Sequence, residues 1–511
     1  MNPKPPDTTR PNILFLFTDQ QARNSLSCYG NTHAHTPSID RMAKEGVVFE
    51  KAYTTTPICS PARASLHTGL YPFAHGMQTN LFMHGCMVHE LADSPGLLSR
   101  RLCDAGYQVG FTGKWHLGYG TETRDDPYYR ENFSKIDSHL HDIELPQGYR
   151  CVSSLPTTLG MVGDDFPGHG GGGRDYPQFL KYLRDEGIQP EIVDHGDGCF
   201  ELCNGEAAAV DVFLRRRTEE LIKQMAGATD SFCMMLNFWG PHEPYYVPSE
   251  WLNKFTETQF EPWPSFTEDQ SRKPKIHAAN RIPRPWSYFQ KQLRFAYAYA
   301  AFIDDQIGRL LAWLEPRDLL ERTQVIFSAD HGDSLGIHDC LYDKSMFCYE
   351  ETCSIPLIIR PAGGAVSPGR RVDAPVSLVD IYSTLLDYAG VPEPLTRRHG
   401  RSLRPWVEGA SSPDWPETVV TESSGISHCL FTSRMIRKGP WKYVFNCGDR
   451  DELYHLINDP HEMNNLVFDP YSEAVLLDMM DALESWMHDK GDDLSIQFRR
   501  LRPRGNVQCT R

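Results

Sequence analysis

No stretch of this chain approaches the ~20 consecutive apolar residues that a membrane-spanning helix needs. The first ten residues, MNPKPPDTTR, lack the charged-then-apolar layout of a secretory leader, and ILFLF at 13–17 is too short for a leader's core. The reading is a cytoplasmic protein that meets no membrane, or a periplasmic or secreted one whose leader has been removed. Positive charge is scarce as well. Against 67 Asp and Glu stand 51 Lys and Arg, a formal net charge of −16, which excludes nucleic-acid binding by a broadly basic surface. The exception, Arg499, Arg500, Arg502, Arg504 and Arg511, reads as a solvated end. The 14 cysteines form no CxxC pair and no small-domain spacing, so neither a zinc framework nor a disulfide scaffold is expected.

What remains is the composition of a globular enzyme, 40% apolar and 23% charged over 511 residues. That length allows one large α/β domain with an appendage, or several domains. Short apolar runs alternate with capped helices. PNILFLFTD, YQVGFTGKWH, SFCMMLNFWGPHEP, TQVIFSADHG and IPLIIRPAGG read as strands. Thr36-Pro37, Ser60-Pro61 and Ser94-Pro95 read as N-cap and first helical residue, with Gly46, Gly69 and Gly106 as stops. Tyr299, Ile303, Ile307, Leu310 and Leu314 keep helical spacing, and Ser377 with Asp380 resembles a capping box. Nearly continuous apolar strands alternating with helices predict an α/β fold, a large mostly parallel sheet sandwiched by helices.

The rhythm breaks over 118–200, which includes GHGGGGRDYP, and over 260–287. Both read as long loops or insertions in a catalytic domain spanning 1–410. From 411 to 511, short strands with turns and the amphipathic run EAVLLDMMDALESWMHD predict a smaller α+β subdomain.

Polar residues recur at the strand ends: Asp19-Gln20, Lys114-Trp115-His116, His242 and Asp330-His331. In an open parallel sheet the carboxyl ends of the strands border the ligand crevice. PICSPARASLHTGLYP adds Cys59 at a helix start, where the dipole lowers a thiol pKa and attracts anions. One cysteine at such a turn is more often a small buried residue, and one strand-end Asp a cap. A whole edge of such groups is not explained that way. Asp19 and Asp330 are hard oxygen ligands suited to Ca2+, Mg2+ or Mn2+. Arg63, Lys114 and Lys344 are fixed positive charges, and His116 and His242 can exchange protons near neutral pH. A metal and cations around a helix N-terminus describe a site for a tetrahedral oxyanion ester.

Cys59-Ser60-Pro61-Ala62-Arg63 matches the C-x-P-x-R signature of the type I sulfatases, and the chain resembles that family within the alkaline-phosphatase-like superfamily. The likeness continues through SPARASLHTGLYP, TGKWHLG, NFWGPHEPY, SADHGDSLGIHDCLYDKSMFCYEETCSIPLIIR and DELYHLINDPHEMNNL, almost the whole chain. It implies that a formylglycine-generating enzyme oxidises Cys59 to formylglycine. It implies one divalent metal, Ca2+ first with Mn2+ and Mg2+ as alternatives, held by Asp19, Gln20, residue 59, Asp330 and His331. It further implies that a hydroxyl of hydrated residue 59 attacks sulfur while His242 or Lys344 protonates the leaving alcohol. His116 then deprotonates the second hydroxyl and sulfate departs. Lys114 would bridge nucleophile and sulfate, Arg63 would support the hydrate and metal shell, and Asn80, Lys114, His242 and Lys344 would contact substrate.

Asp19-Gln20 and Asp330-His331 stand where many arylsulfatases have paired aspartates and Asp-Asn. Here the chain resembles the choline-sulfatase and phosphonate monoester hydrolase branches, and Gln and His soften the site enough for Mn2+ to rival Ca2+. Asn80 falls where phosphonate hydrolases place a substrate-contacting asparagine, whereas GKWH points back to sulfatases. The expected activity is hydrolysis of a sulfate monoester of a carbohydrate, aryl or alkyl alcohol, from a small molecule or a glycan. The alternatives are a phosphonate monoester or phosphodiester hydrolase with the same nucleophile, and an inactive binding protein of the same fold. Trp263, Arg281, Arg284 and Trp286 either line a sugar or aryl pocket or pack their own loop. A homo-oligomer is compatible with the sequence.

Overall fold

NILFLFTD forms strand β1 (Asn12–Asp19) with every residue buried, because it lies at the middle of an eight-stranded sheet. The computed structural model of the protein describes residues 10–81, 86–88, 90–118, 154–163, 171–174, 177–227, 231–392, 399–410, 412–426 and 429–502. In chain order the sheet contains β1, β2 (Val47–Tyr53), β3 (Gln108–Gly113) and β4 (Val162–Gly163). A short three-stranded sheet is built from β5 (Ile192–Asp194), β6 (Cys199–Leu202) and, later in the chain, β8 (Tyr245–Pro248). The large sheet is completed by β7 (Phe232–Pro241), β9 (Thr323–Ala329), β10 (Leu357–Arg360) and β11 (Arg370–Ser377), in the order β11-β2-β10-β9-β1-β7-β3-β4. Only β10 runs antiparallel to its neighbours.

Both faces of that sheet are covered, as its unbroken apolar strands require. Along β1, Ile13, Phe15 and Phe17 enter one core with Ala62, Leu98, Leu102 and Leu385. Leu14 and Leu16 point the other way, into a core with Ile39, Met42, Leu221, Ile303 and Leu310. The twofold strand period therefore feeds two helical layers from one sheet.

Three helix starts can be set against the sequence. Pro37–Glu45 begins where expected, although the carboxylate of Asp304, not Thr36, accepts from the Ser38 and Ile39 N–H groups (3.0 and 2.8 Å). The helix expected at Ser94-Pro95 begins at Leu98, after a turn closed by the Leu97 N–H on the Ser94 carbonyl (3.1 Å). The Leu378–Tyr388 helix has its capping box, with Asp380 accepting from the Ser377 N–H at 2.7 Å. Ser377→Ala should cost about 1 kcal/mol, read as an earlier midpoint of urea unfolding.

The span 118–200 is not loop throughout. Residues 119–153 lie outside the described residues, but Pro177–Asp185 is a helix that buries Phe179 and Leu183, and β5 follows it. The i, i+4 apolar pair was outweighed in sequence by the surrounding Gly and Asp. Over 260–287 the chain runs in turns and short 3-10 segments. There Trp263 and Trp286 donate their indole N–H to the Leu335 and Phe260 carbonyls (2.9 and 2.8 Å), Arg281 pairs with Asp339, and Arg284 lies over the Tyr288 ring. All four engage neighbouring protein groups.

An antiparallel sheet of β12 (Thr418–Ile426), β13 (Cys429–Lys438), β14 (Trp441–Asn446) and β15 (Glu452–His455) follows. The Glu473–Lys490 helix lays Met479, Met480, Leu483 and Met487 onto Ile436, Tyr443 and Phe445. Arg499 and Arg502 are paired with Glu484 and Asp481 of that helix, so the basic cluster is partly neutralised; Arg504 and Arg511 lie outside the described residues. Among the described residues, no helix is long and apolar enough to cross a membrane.

Candidate active site

The parallel register decides which strand ends meet. Asp19 of β1 lies opposite Pro241 of β7, Thr18 opposite Ala329 of β9, and Gly113 of β3 opposite Asn237 of β7. The residues that follow these positions, Gln20, His242, Asp330 and Lys114, therefore emerge at one edge. Gly113 permits the approach. At φ 102° an added Cβ would lie 1.7 Å from the Asn237 carbonyl oxygen, which accepts from the Lys114 N–H at 3.0 Å. Lys114 and His116 both act on Cys59, but not as alternate residues of an extended strand: His116 sits at φ 52° and turns the chain.

The helix that carries Cys59 runs Cys59–Thr68, with Ile58 as its cap, two residues earlier than Ser60-Pro61 implied; Gly69 ends it in the left-handed region (φ 67°). Cys59 is thus in the first turn, buried, at the positive end. Asn80 secures this start, its carboxamide oxygen accepting from the Ser60 N–H at 2.9 Å.

Ligand atoms of Asp19, Cys59, Asp330 and His331 lie within 4.8 Å of one another, all four residues buried. Cys59 Sγ is 3.1 Å from His331 Nε2, and His331 Nδ1 faces the Gly332 carbonyl at 2.8 Å. That second contact keeps a proton on Nδ1, so that neutral His331 would turn its Nε2 lone pair to the cluster. Arg63 Nε donates to Asp330 Oδ2 at 3.0 Å and its Nη2 is ion-paired with the same oxygen at 2.9 Å, while the Gln20 and His331 N–H groups donate to Oδ1 (3.0 and 2.9 Å). Lys114 pairs with Asp19 Oδ2.

Burial opposes ionisation of Asp19, but the Lys114 ammonium wins and holds its carboxyl well below the usual range. Burial also opposes the Cys59 thiolate; Lys114, His331 and Lys344 together hold the thiol well below its ordinary value. Asp330 is pushed up, by burial first and then by the Asp19 charge. Burial would lower His331, yet Asp330 and the Cys59 charge raise it to about 9. The cluster therefore draws positive charge to itself. Asp19 Oδ1 is also buried without a hydrogen-bond partner. Two carboxylates, an imidazole Nε2 and residue 59 fit one divalent cation.

Beside the cluster, Lys344 Nζ donates to both Asp343 oxygens (2.7 and 2.8 Å) and to Gln20 Oε1 (3.3 Å), and lies 3.3 Å from His242 Nε2. His242 Nδ1 faces the Glu243 carbonyl. His116 is lowered to about 4, by burial first, and is neutral near pH 7. Sequence reasoning missed Asp343, which anchors Lys344, and Asn237, which also accepts from Arg63 Nη1 at 3.4 Å. Both carried a signal: a carboxylate next to the lysine, and a lone amide in an apolar strand.

Comparison with known proteins agrees with this geometry. Residues 11–391 match the Sulfatase family model, and 336–489 match N-sulphoglucosamine sulphohydrolase, C-terminal. The chain is 30% identical to the uncharacterized sulfatase YidJ of Escherichia coli (strain K12), over 97% of this chain and 90% of that one. It is 27% identical to an N-acetylglucosamine-6-O-sulfatase of Bacteroides thetaiotaomicron, over 91% and 84%. Its fold superimposes on the phosphonate monoester hydrolase of Agrobacterium radiobacter with a TM-score of 0.70 at 23% identity, covering 94% and 96%. With the family match spanning most of the sequence and a C-x-P-x-R cysteine set among two carboxylates and a histidine, the chain belongs to the sulfatase family, the sulfuric ester hydrolases.

Proposed function

We propose that the protein hydrolyses a sulfate monoester to an alcohol and inorganic sulfate, with residue 59 acting as formylglycine beside one divalent cation. The observation that carries this reading is the meeting of Asp19, Cys59, Asp330 and His331 within 4.8 Å, with Lys114 and Arg63 on the same carboxylates. Once converted by a formylglycine-generating enzyme, residue 59 supplies an oxygen nucleophile, and the cation supplies charge against the ester oxygens. Asp19, Asp330, His331 and residue 59 would hold the cation, Ca2+ first with Mn2+ or Mg2+ as rivals. Gln20 is a reserve ligand whose carboxamide oxygen now accepts from Lys344.

The chain's own groups perform the rest. Lys114 keeps Asp19 ionised and favours negative charge at residue 59. Arg63 clamps Asp330 in one orientation. His116, neutral through burial, is the base that takes a proton from residue 59 in the second half of the cycle. His242 or Lys344 gives a proton to the leaving alcohol. Asn80 supports the helix start, and its substrate contact would come through its amide nitrogen. On this assignment His116→Ala should release alcohol in a burst of about one equivalent per site and then stall. Lys114→Ala should show no burst, because attack itself is impaired. Slow release from the start in His116→Ala would move the histidine to the first step.

Similarity to an N-acetylglucosamine-6-O-sulfatase favours a carbohydrate sulfate as substrate. A second reading, phosphonate monoester hydrolysis, is favoured by the Asp19-Gln20 and Asp330-His331 pairs and by the phosphonate hydrolase neighbour. Matched aryl sulfate and aryl phosphonate monoester rates separate the two. The sulfate should be preferred by at least ~10-fold in kcat/KM, about 1.4 kcal/mol of transition-state binding. The opposite preference would replace the first reading. A desulfation screen over sulfated sugars, choline sulfate and aryl sulfates then identifies the alcohol.

A further inference from the structure

Behind the end of β1 lies a small, partly open cavity of about 30 Å3, lined by the chain after Gln20, the loop at 333–335, Glu351, Trp263 and the Trp286–Leu314 helix. Five of its lining residues present a buried side-chain oxygen with no hydrogen-bond partner: Gln21 Oε1, Ser25 Oγ, Asp333 Oδ1, Ser334 Oγ and Glu351 Oε2. Gln21 and Ser334 are each only 1% exposed and Asp333 7%, so bulk water does not relieve them. The backbone holds the two carboxylates together, with the Asp333 N–H on the Glu351 carbonyl (3.0 Å) and the Gly332 N–H on that of Thr352 (2.9 Å). No Lys, Arg or His is among the described residues that line the cavity.

Buried acceptors in a folded protein are almost always satisfied, and buried carboxylates are paired. A cavity this size takes about one water, which donates only two hydrogen bonds. That leaves an acceptor unmet and no positive charge among the described lining residues to face the two carboxylates, although Lys344 and His242 act on Asp333 from outside the cavity. A hard cation would supply both the charge and the coordination that oxygens lining one cavity call for, and carboxylate, carboxamide and hydroxyl oxygens without nitrogen or sulfur are the donor set of Ca2+. We infer that this cavity is a second Ca2+ site, formed by Asp333, Glu351, Gln21, Ser25 and Ser334 and separate from the Asp19–Cys59–Asp330–His331 cluster. Its consequence for the reaction runs through Gln20, which donates to Asp333 Oδ2 at 3.1 Å and accepts from Lys344. A cation holding Asp333 thereby fixes the carboxamide that orients Lys344.

The test is Ca2+ binding to the chelator-stripped full chain, by calorimetry and elemental analysis, in wild type, Glu351→Gln and Asp330→Asn. Two Ca2+ per chain in wild type and one in each variant is the expected result, with Ca2+ raising the Tm of Asp330→Asn. If Glu351→Gln does not fold, Gln21→Met keeps the volume, removes one oxygen, and should weaken one of two sites about tenfold. One Ca2+ lost in Asp330→Asn but kept in Glu351→Gln and Gln21→Met would overturn the site and leave water in the cavity. So would no Ca2+ at all, or two that neither Glu351→Gln nor Gln21→Met disturbs. One Ca2+ kept in Asp330→Asn and lost in Glu351→Gln would instead uphold this site and remove the cation from the proposed catalytic cluster.

Discussion

Cys59→Ala should lower kcat by roughly 10^4- to 10^6-fold, the scale on which enzymes lose a nucleophile that acts as part of a unit. The structure indicates that the loss will be chemical. Cys59 stands in the first turn of its helix, where alanine is well tolerated, and the helix start is secured from outside by Asn80 on the Ser60 N–H. The deleted group occupies the position at which Lys114, His331 and Lys344 favour negative charge, as they do on the Cys59 thiol. Circular dichroism and thermal unfolding should therefore stay near wild type while turnover disappears. In the active enzyme, mass spectrometry of the peptide bearing residue 59 should show an aldehyde in place of the thiol. An Ala variant with substantial activity would end the nucleophile assignment. Unmodified Cys59 in a preparation without turnover would revive the inactive binding protein.

The second large effect belongs to Asp330. It joins Arg63, the Gln20 and His331 N–H groups and the metal-ligand cluster at one carboxylate. Asp330→Asn keeps the shape but removes one of the two formal negative charges the aspartates contribute. Cation affinity should fall roughly 100-fold or more, since even outer groups around a metal cost 10- to 100-fold. Elemental analysis after dialysis should show the catalytic cation lost, and excess Ca2+ or Mn2+ should restore only part of the activity. Asp330→Ala should also be less stable, by about 3–5 kcal/mol, because Arg63 would be left as a buried guanidinium without its main partner. Full cation content in Asp330→Asn would refute the ligand assignment.

The elements whose signals are local were legible in the sequence. β1 is an apolar run without interruption, the Ser377–Asp380 capping box is closed within four residues, and Gly69 terminates its helix at positive φ. Each rests on contacts a few residues apart, so neighbouring side chains are enough to settle it. The candidate site was legible for the same reason: Cys59, Arg63 and the strand-end residues carry the roles proposed for them in their side-chain type.

Errors arose where a distant contact outweighed a local preference. Ser60-Pro61 is a good helix opening, yet the helix starts at Cys59, where Asn80 takes the Ser60 N–H. The Pro177–Asp185 helix was hidden by its neighbours and is stabilised by burying Phe179 and Leu183. The spacing of Lys114 and His116 suggested one face of an extended strand, but a left-handed residue brings them to Cys59. Lys344 reaches His242 and Gln20 from a segment where Leu335, His338, Asp339, Cys340, Asp343, Ser345 and Met346 all have positive φ. Such backbone persists only where the surrounding structure imposes it.

The amino-acid sequence by itself determined the chemistry available to this protein, the family it resembles and the strands that carry its candidate site residues, because side-chain type and short-range periodicity are properties of the chain. Only the tertiary structure decided which strand ends touch, since parallel register is set by packing across the sheet. It alone also gathered Gln21, Ser25, Asp333, Ser334 and Glu351 around one cavity. No spacing pattern marks that group, because its members come from three separate segments that meet only when both faces of the sheet are packed.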